Sequence, residues 1–233
     1  MSIIKSEKVS TQRSRNNPNV INVVVEPLER GFGVTLGNSL RRVLLSSIQG
    51  AAITYVKISG VSHEFQSITG LKEDLIDLLV NLKNMVIKMS SSEPQTLKLK
   101  VSGPCVVTAS MVEPNPLVSV VDPNHFICSL EASGSLELEM ICEIGRGYVP
   151  ADSVSSRNAP GVFSSSSPTE YIALDAIFSP IKSVLYHVEK TRVGQVTDYD
   201  KLVMSIETNG SVSPDDALSL AAKTLQEQFA MFV

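Results

Sequence analysis

One short segment, residues 26–47, constrains the fold of this chain more than any other. Apolar residues recur at every fourth position along it, which is the spacing of one face of an α-helix. The stripe contains Phe32, Leu36, Leu40, Leu44 and Ile48, with Val43 and Ser47 on the same face. The pattern predicts a helix over about residues 33–47 whose apolar face is buried against another surface.

Two arginines, Arg41 and Arg42, lie within this apolar helix. Their aliphatic stems can pack at the edge of the stripe while the guanidinium groups stay free to meet carboxylates of a partner. The residues alone leave two interpretations open. The helix either packs on its own domain with the arginines in solvent, or presents a face to another chain.

Three glycines in the same segment raise the alternative of an enzyme with a phosphate-binding loop. Gly31, Gly33 and Gly37 are spaced G-x-G-x-x-x-G, and Leu36 stands where the dinucleotide fingerprint needs its third glycine. No Gly-Lys-Ser/Thr follows, so a triphosphate loop is also unsupported. The spacing therefore disfavours a nucleotide cofactor.

Composition excludes several further classes. The 233 residues carry a net charge of −4, which does not favour direct nucleic-acid binding. We find no run of about 18 apolar residues, the length that a membrane-spanning helix needs. Cys105, Cys128 and Cys142 form no C-x-x-C pair, and His63, His125 and His187 are far apart, so we expect no metal, no cofactor and no disulfide framework.

The rest of the chain predicts a mixture of strands and helices. Residues 20–25 and 52–59 are predicted strands, and Pro27 is expected to end the first one or to place it at an edge. Residues 71–83 have helical spacing, whereas 96–144 alternate with a period of two, as half-buried antiparallel strands do. A serine-rich stretch, 152–169, reads as a mobile loop or boundary before strands at 183–189 and 201–208.

The final segment has clear helix-start chemistry. Ser213 is a good cap, Pro214 suits the first helical position, and Asp215 and Asp216 favour the positive end of the helix dipole. One apolar face follows: Leu218, Ala221, Ala222, Leu225, Phe229 and Phe232.

The amino-acid identities in residues 26–47 give evidence beyond the helical periodicity. Glu-Pro-Leu-Glu-Arg-Gly-Phe-Gly-x-Thr-Leu-Gly-Asn-x-Leu-Arg-Arg-x-Leu-Leu-Ser-Ser closely resembles the signature of the amino-terminal domain of the bacterial RNA polymerase alpha subunit. Further blocks agree in order: Gly-Val-Ser-His-Glu-Phe from residue 60, Gly-Arg-Gly-Tyr-Val-Pro-Ala from 145, Thr-Asp-Tyr-Asp-Lys-Leu from 197 and Glu-Thr-Asn-Gly from 207. The resemblance covers nearly the whole chain from residue 20 onward.

That resemblance implies an α+β fold in two domains. A discontinuous α/β dimerisation domain, residues 1–48 and 169–233, would carry an inserted, mainly β domain over residues 49–168. The first and last helices of both protomers would form the core of a homodimer, with these interface residues: Phe32, Leu36, Leu40, Leu44, Leu218, Leu225 and Phe229.

The implied function is that of a non-catalytic, cytoplasmic assembly scaffold for transcription. The alpha homodimer would gather the beta and beta-prime subunits, in which nucleotidyl transfer resides. The residues that match the family's large-subunit contacts are Arg42, Leu45, Lys83, Leu174 and Asp175, and Arg41 is expected to serve packing within the chain instead.

The family's DNA contact resides in a carboxy-terminal domain beyond the last helix, and this sequence ends at Val233. DNA binding by these 233 residues is therefore not expected. The runner-up interpretation is a homodimeric cytosolic interaction module unrelated to transcription.

Overall fold

The computed structural model of the chain describes residues 8–14, 17–155 and 171–232. The strands are β1 (Lys8–Arg13), β2 (Val20–Leu28), β3 (Gln49–Ile58), β4 (Ile87–Met89), β5 (Gln95–Ser102), β6 (Cys105–Thr108), β7 (Val118–Val120), β8 (Phe126–Leu130), β9 (Ser135–Arg146), β10 (Tyr148–Val149), β11 (Ile172–Ala173), β12 (Ala176–Ile177), β13 (Ile181–Val193) and β14 (Val196–Thr208). The helices are α1 (Phe32–Ser47), α2 (Leu75–Asn84), α3 (Ala151–Ser155) and α4 (Pro214–Phe229), with 3-10 turns at Ala109–Met111 and Ala230–Phe232. The predicted α+β class is confirmed.

The chain divides into two compact units. Unit 1 combines the residues up to Ile48 with those from Ser179 onward, and unit 2 spans Gln49–Phe178. The predicted boundary at residue 169 lies ten residues before this division. The two-residue strand β11 pairs with β3, and β12 pairs with β10, so both belong to unit 2. Strands this short carry no periodicity from which their pairing could be read.

Unit 1 is one antiparallel sheet with two helices. The strand order is β1-β2-β14-β13, α1 lies against β13 and β14, and α1 and α4 pack together. The buried core contains Ile21, Val23, Leu44, Ile48, Ile181, Val184, Met204, Ile206, Ala217 and Ala221. Pro27 was expected to end β2 or to place it at an edge, but β2 continues to Leu28 and lies between β1 and β14. The pairing of β2 with β14 is irregular between Leu28 and Val25, so it needs no ladder bond from the proline.

Two glycines bring α1 unusually close to the sheet. A Cβ atom at Gly33 would lie 2.7 Å from Cγ1 of Val188, and one at Gly37 would lie 2.6 Å from Cδ2 of Tyr186. Both distances are shorter than any ordinary carbon–carbon contact. The glycines of the first segment therefore serve close helix–sheet packing.

Unit 2 is mainly β. Its largest sheet has the order β5-β9-β3-β4-β7 with β11 beside β3, and the pairs β6–β8 and β10–β12 form two small sheets. The alternation that predicted half-buried strands is confirmed in β5, where Leu97 and Leu99 are buried and Lys98 and Lys100 are exposed. The core lies between the sheets and α2, whose buried residues are Leu75, Leu78, Leu79 and Leu82.

Helix α2 begins four residues later than its spacing predicted. Leu71 instead forms a bridge with Leu130, and the backbone N–H of Ser129 donates to the Glu73 carboxylate at 2.7 Å. These tertiary bonds hold residues 71–73 outside the helix. None of the helices in the described ranges is long and apolar enough to cross a bilayer. The larger part of the serine-rich stretch, 156–169, lies outside the described residues.

Candidate protein-docking sites

A cleft in unit 2 brings together three of the predicted contact residues. It lies between α2, the loop at 62–65 and the segment 171–175, and has a volume of about 480 Å³. Lys83, Leu174 and Asp175 all line it. We call it the α2 cleft. The sequence did not predict that these residues lie close together, because α2 and the segment 171–175 are far apart in the chain and only the tertiary structure brings them to one cleft.

Two of the charged residues that line the α2 cleft, Lys83 and Asp175, are bound to each other. The Lys83 ammonium donates to Oδ2 of Asp175 at 2.8 Å, and the backbone N–H of Ala151 donates to Oδ1 at 3.0 Å. The hydrogen bond from Lys83, then that from Ala151, hold the pKa of Asp175 below its usual value. The Lys83 ammonium also lies 6.0 Å from the centroid of the Tyr148 ring, within reach of a cation–π contact. The pair is therefore preformed and oriented before any partner arrives.

This geometry changes what was expected of two residues. Lys83 was expected to contact a large subunit, and in the structure its charge is already paired with that of Asp175. Leu174 is only 6% exposed and belongs to the core of unit 2. It lines the floor of the cleft, and its contact with a large subunit stays a prediction.

Three apolar side chains of the α2 cleft were missed by sequence reasoning. Phe65, Ile76 and Val80 are exposed by 77%, 47% and 46%. Ile76 and Val80 are one helical turn apart, so they form a second apolar face on α2 beside the buried leucines. A helix that is apolar on two faces has more apolar surface than it can bury against the core of its own unit. The apolar residues at positions 76 and 80 were visible in the sequence and could have indicated this second face. Phe65 lies in a loop and gave no periodic signal.

In unit 1, α1 exposes apolar residues on both flanks of its buried stripe. Leu36 is 36% exposed and Leu45 is 38% exposed. At about 100° per residue, their spacing places them on opposite flanks of the helix. Gly33, Gly37 and Leu44 occupy the buried stripe between them. One helix therefore offers two separate docking flanks.

Both arginines of α1 are exposed. Within the described residues, neither Arg41 nor Arg42 makes an ion pair or a side-chain hydrogen bond. The expectation that Arg41 serves intramolecular packing is therefore wrong. Arg42 is free to meet a carboxylate of a partner, as predicted, but that contact stays a prediction.

The residues predicted for the dimer interface divide by exposure. Phe32 and Phe229 are 50% and 59% exposed, and Leu225 is partly exposed. Leu40 and Leu218 are partly buried against the core of their own unit. Leu44 is fully buried there, so its side chain packs within its own unit, and a contact with the partner protomer stays a prediction. A four-residue repeat drifts around a helix by about 40° per step, and by Leu44 the stripe has turned into the protomer's own core.

Two backbone N–H groups at the start of α1 are already bound to a carboxylate of the same chain. The Asp200 carboxylate accepts from the backbone N–H of Gly31 at 2.7 Å and from that of Gly33 at 3.3 Å. An internal anion therefore already occupies the place that a cofactor phosphate would take. This contact argues against the enzyme alternative more directly than the glycine spacing does.

Other reactive groups show ordinary structural environments. Burial raises the pKa of Cys128 and of Cys142 to about 12, so both thiols are protonated at neutral pH. In the described ranges, no three His, Cys, Asp or Glu side chains lie close enough to hold a metal ion.

Comparison with known proteins gives consistent matches. The model of the family described as RNA polymerase Rpb3/RpoA insert domain matches residues 56–179. A DNA-directed RNA polymerase subunit alpha from Rickettsia rickettsii (strain Sheila Smith) is 51% identical over 231 residues, which are 99% of this chain and 66% of that protein. Subunits of the same name from Rickettsia felis and Rickettsia prowazekii are 50% and 49% identical over the same shares. The chain thus spans 66% of the length of these relatives.

Proposed function

The chain belongs to the family of bacterial RNA polymerase alpha subunits, and on that premise we propose that it forms a homodimer on which the beta and beta-prime subunits assemble. In this role the chain is itself non-catalytic and acts in the cytoplasm. Nucleotidyl transfer belongs to the large subunits.

The observation that carries the proposal is the pair of exposed flanks on α1. A scaffold protein that dimerises and also binds a second protein needs two distinct surfaces. The flank with Phe32 and Leu36 is apolar, as the core of a stable dimer interface is. The flank with Leu45 has an apolar residue beside the free charge of Arg42, which suits a contact whose orientation is set by charge.

The end of α4 supports the same division. Phe229, Met231 and Phe232 are exposed by 59%, 70% and 84%. Three large, exposed apolar side chains within four residues are unusual on a surface that remains exposed to solvent. In the proposal they pack against the partner protomer, together with the Phe32 flank of α1.

The α2 cleft supplies a second large-subunit contact in unit 2. Its exposed apolar residues, Phe65, Ile76 and Val80, line the same cleft as the Lys83–Asp175 pair, and we call them its apolar rim. Because the pair is partly shielded from water, a partner residue that fits the rim must also match the orientation of these two charges. The cleft therefore favours one partner over others of similar hydrophobicity.

Two matched variants test the proposal on the two flanks of α1. Leu36→Glu places a charge in the proposed dimer interface, and the variant is expected to run as a monomer in light scattering. Leu45→Glu adds the same charge on the other flank, so it is expected to remain a dimer and to lose capture of purified beta subunit. Both residues are exposed in the protomer, so neither charge needs to be buried for the chain to fold.

The outcomes separate the two interpretations. A wild-type dimer that captures beta, with losses divided between the variants as described, supports the polymerase scaffold. A wild-type dimer that fails to capture beta supports the unrelated interaction module instead. A wild-type monomer, or a Leu36→Glu dimer, refutes the assignment of the Phe32 flank to dimerisation.

A further inference from the structure

Helix α1 lacks the stabilising groups that helix starts normally carry. Its cap residue is Gly31, with φ of 87°, so no cap side chain is present, and its first turn contains no acidic residue. Helix α4 differs in each respect, because Ser213 accepts from the backbone N–H of Asp216 and two aspartates occupy the first turn. The first N–H groups of a helix need acceptors, which α1 must find outside its own sequence.

Asp200 on β14 supplies those acceptors. One oxygen of its carboxylate accepts from the N–H groups of Gly31 and Gly33. The Lys190 ammonium donates to the other oxygen at 3.0 Å, and the Asp200 side chain is only 4% exposed. A buried carboxylate at the positive end of a helix is stabilised by the helix dipole as well as by these bonds.

The sequence around α1 is adapted to this contact. A Cβ atom at Gly33 would lie 3.1 Å from Cβ of Asp200 and 2.7 Å from Cγ1 of Val188. A side chain there would push the helix start away from the carboxylate. Gly31 must adopt a positive φ, which other residues reach only with strain. Both glycines therefore serve the approach of the helix start to Asp200.

We infer that Asp200, held by Lys190, is a positioning residue for the dimerising flank of α1. Phe32 lies between the two glycines whose amides Asp200 binds, and its side chain is half exposed. Its direction is set mainly by the backbone of the first turn, and Leu36 follows one turn later. Asp200 thus orders the flank before the partner protomer binds, which lowers the entropic cost of association. The inference rests on the dimer role proposed above.

The test uses three variants of the full chain. Asp200→Ala removes the acceptor, and Asp200→Asn keeps one oxygen but removes the charge. Asp198→Asn is the matched control, because Asp198 pairs with Lys190, and with Arg30 at 3.2 Å, but is 54% exposed and binds neither glycine amide among the described contacts. Ion pairs this exposed contribute little to stability. Two quantities are measured: hydrogen exchange of the Gly31 and Gly33 amides, and the dimer dissociation constant.

For Asp200→Ala we expect faster exchange at both amides and a dissociation constant raised at least about tenfold, the factor for one hydrogen bond to a charged acceptor. Exchange in α4 should not change. Asp200→Asn should give intermediate values, and Asp198→Asn should match the wild type. If Asp200→Ala does not fold, Asp200→Asn decides by the same two readouts.

Two results would overturn the inference. One is wild-type exchange at Gly31 and Gly33 in an Asp200 variant. The other is faster exchange throughout unit 1 with an unchanged dissociation constant, which would indicate a role in stability alone. A wild-type monomer would refute the proposed dimer separately, and the exchange measurement would then still confirm or refute the anchoring of the first turn.

Discussion

The close approach of α1 to its sheet predicts that Gly37→Ala destabilises unit 1. Replacing glycine by alanine within an exposed helix normally stabilises it by about 1 kcal/mol. At Gly37 the new Cβ would lie 2.6 Å from Cδ2 and 2.8 Å from Cε2 of Tyr186, and 3.0 Å from Cδ1 of Leu202. Carbon atoms in good contact are about 3.5–4.0 Å apart, so either the ring or the helix must move by about 1 Å.

The magnitude follows from two opposing effects. Forcing one extra carbon into a closely packed site costs about 1–3 kcal/mol. The gain in helix propensity returns about 1 kcal/mol of this. We expect a net loss of up to about 2 kcal/mol for Gly37→Ala, because the added carbon would crowd the Tyr186 ring of the sheet.

The control is the next residue along the helix. Asn38 is exposed, so Asn38→Ala should stabilise unit 1 by a few tenths of a kcal/mol, about 0.5 kcal/mol. Native-state hydrogen exchange of the slowest amides in β14 reports the opening free energy of unit 1 separately from unit 2. Both variants are measured at one protein concentration, since dimerisation would make stability depend on it. If Gly37→Ala is stabilising like its neighbour, the close-packing argument is wrong.

Three further predictions concern neighbouring groups. Arg42→Ala should change the free energy of unfolding by less than about 0.5 kcal/mol and weaken beta capture more than tenfold, about 2 kcal/mol, in a pull-down with a melting curve on the same sample. Leu44→Ala should lower the stability of unit 1 by about 2–5 kcal/mol because Leu44 is fully buried. Leu45→Ala should leave the stability nearly unchanged and reduce beta capture, so equal losses of stability in the two variants would contradict the burial of Leu44. Burial acts to raise the pKa of Asp200, but the bonds from Lys190, Gly31 and Gly33 outweigh it and the pKa is lowered. The stabilisation is therefore complete above the unfolded pKa, near 3.8, and is lost as the pH falls through the lower folded value, so acid titration of stability should bring wild type and Asp200→Asn together.

Local chemistry was enough to predict α4 and the alternating strands. Ser213, Pro214, Asp215 and Asp216 are all within one helical turn of the start of α4, and the structure begins that helix at Pro214. In β5 the period of two is a property of the extended backbone itself, which points successive side chains to opposite faces. Each of these signals acts between residues a few positions apart, so the sequence displays it directly.

The candidate sites depended on contacts between distant parts of the chain. Lys83 and Asp175 are 92 positions apart, and the sequence marked each as a separate charge. Leu36 and Leu44 belong to one helical stripe, but only the packing of unit 1 shows that Leu44 is fully buried and Leu36 is partly exposed.

The sequence by itself determined that α1 is an amphipathic helix, because helical spacing is a local property. Only the tertiary structure decided what binds the first amides of that helix and which flanks it exposes. Its first amides are bound by Asp200, which lies 169 positions from Gly31. Such a partner is chosen by the folding of the sheet, and no pattern within the helix reveals it.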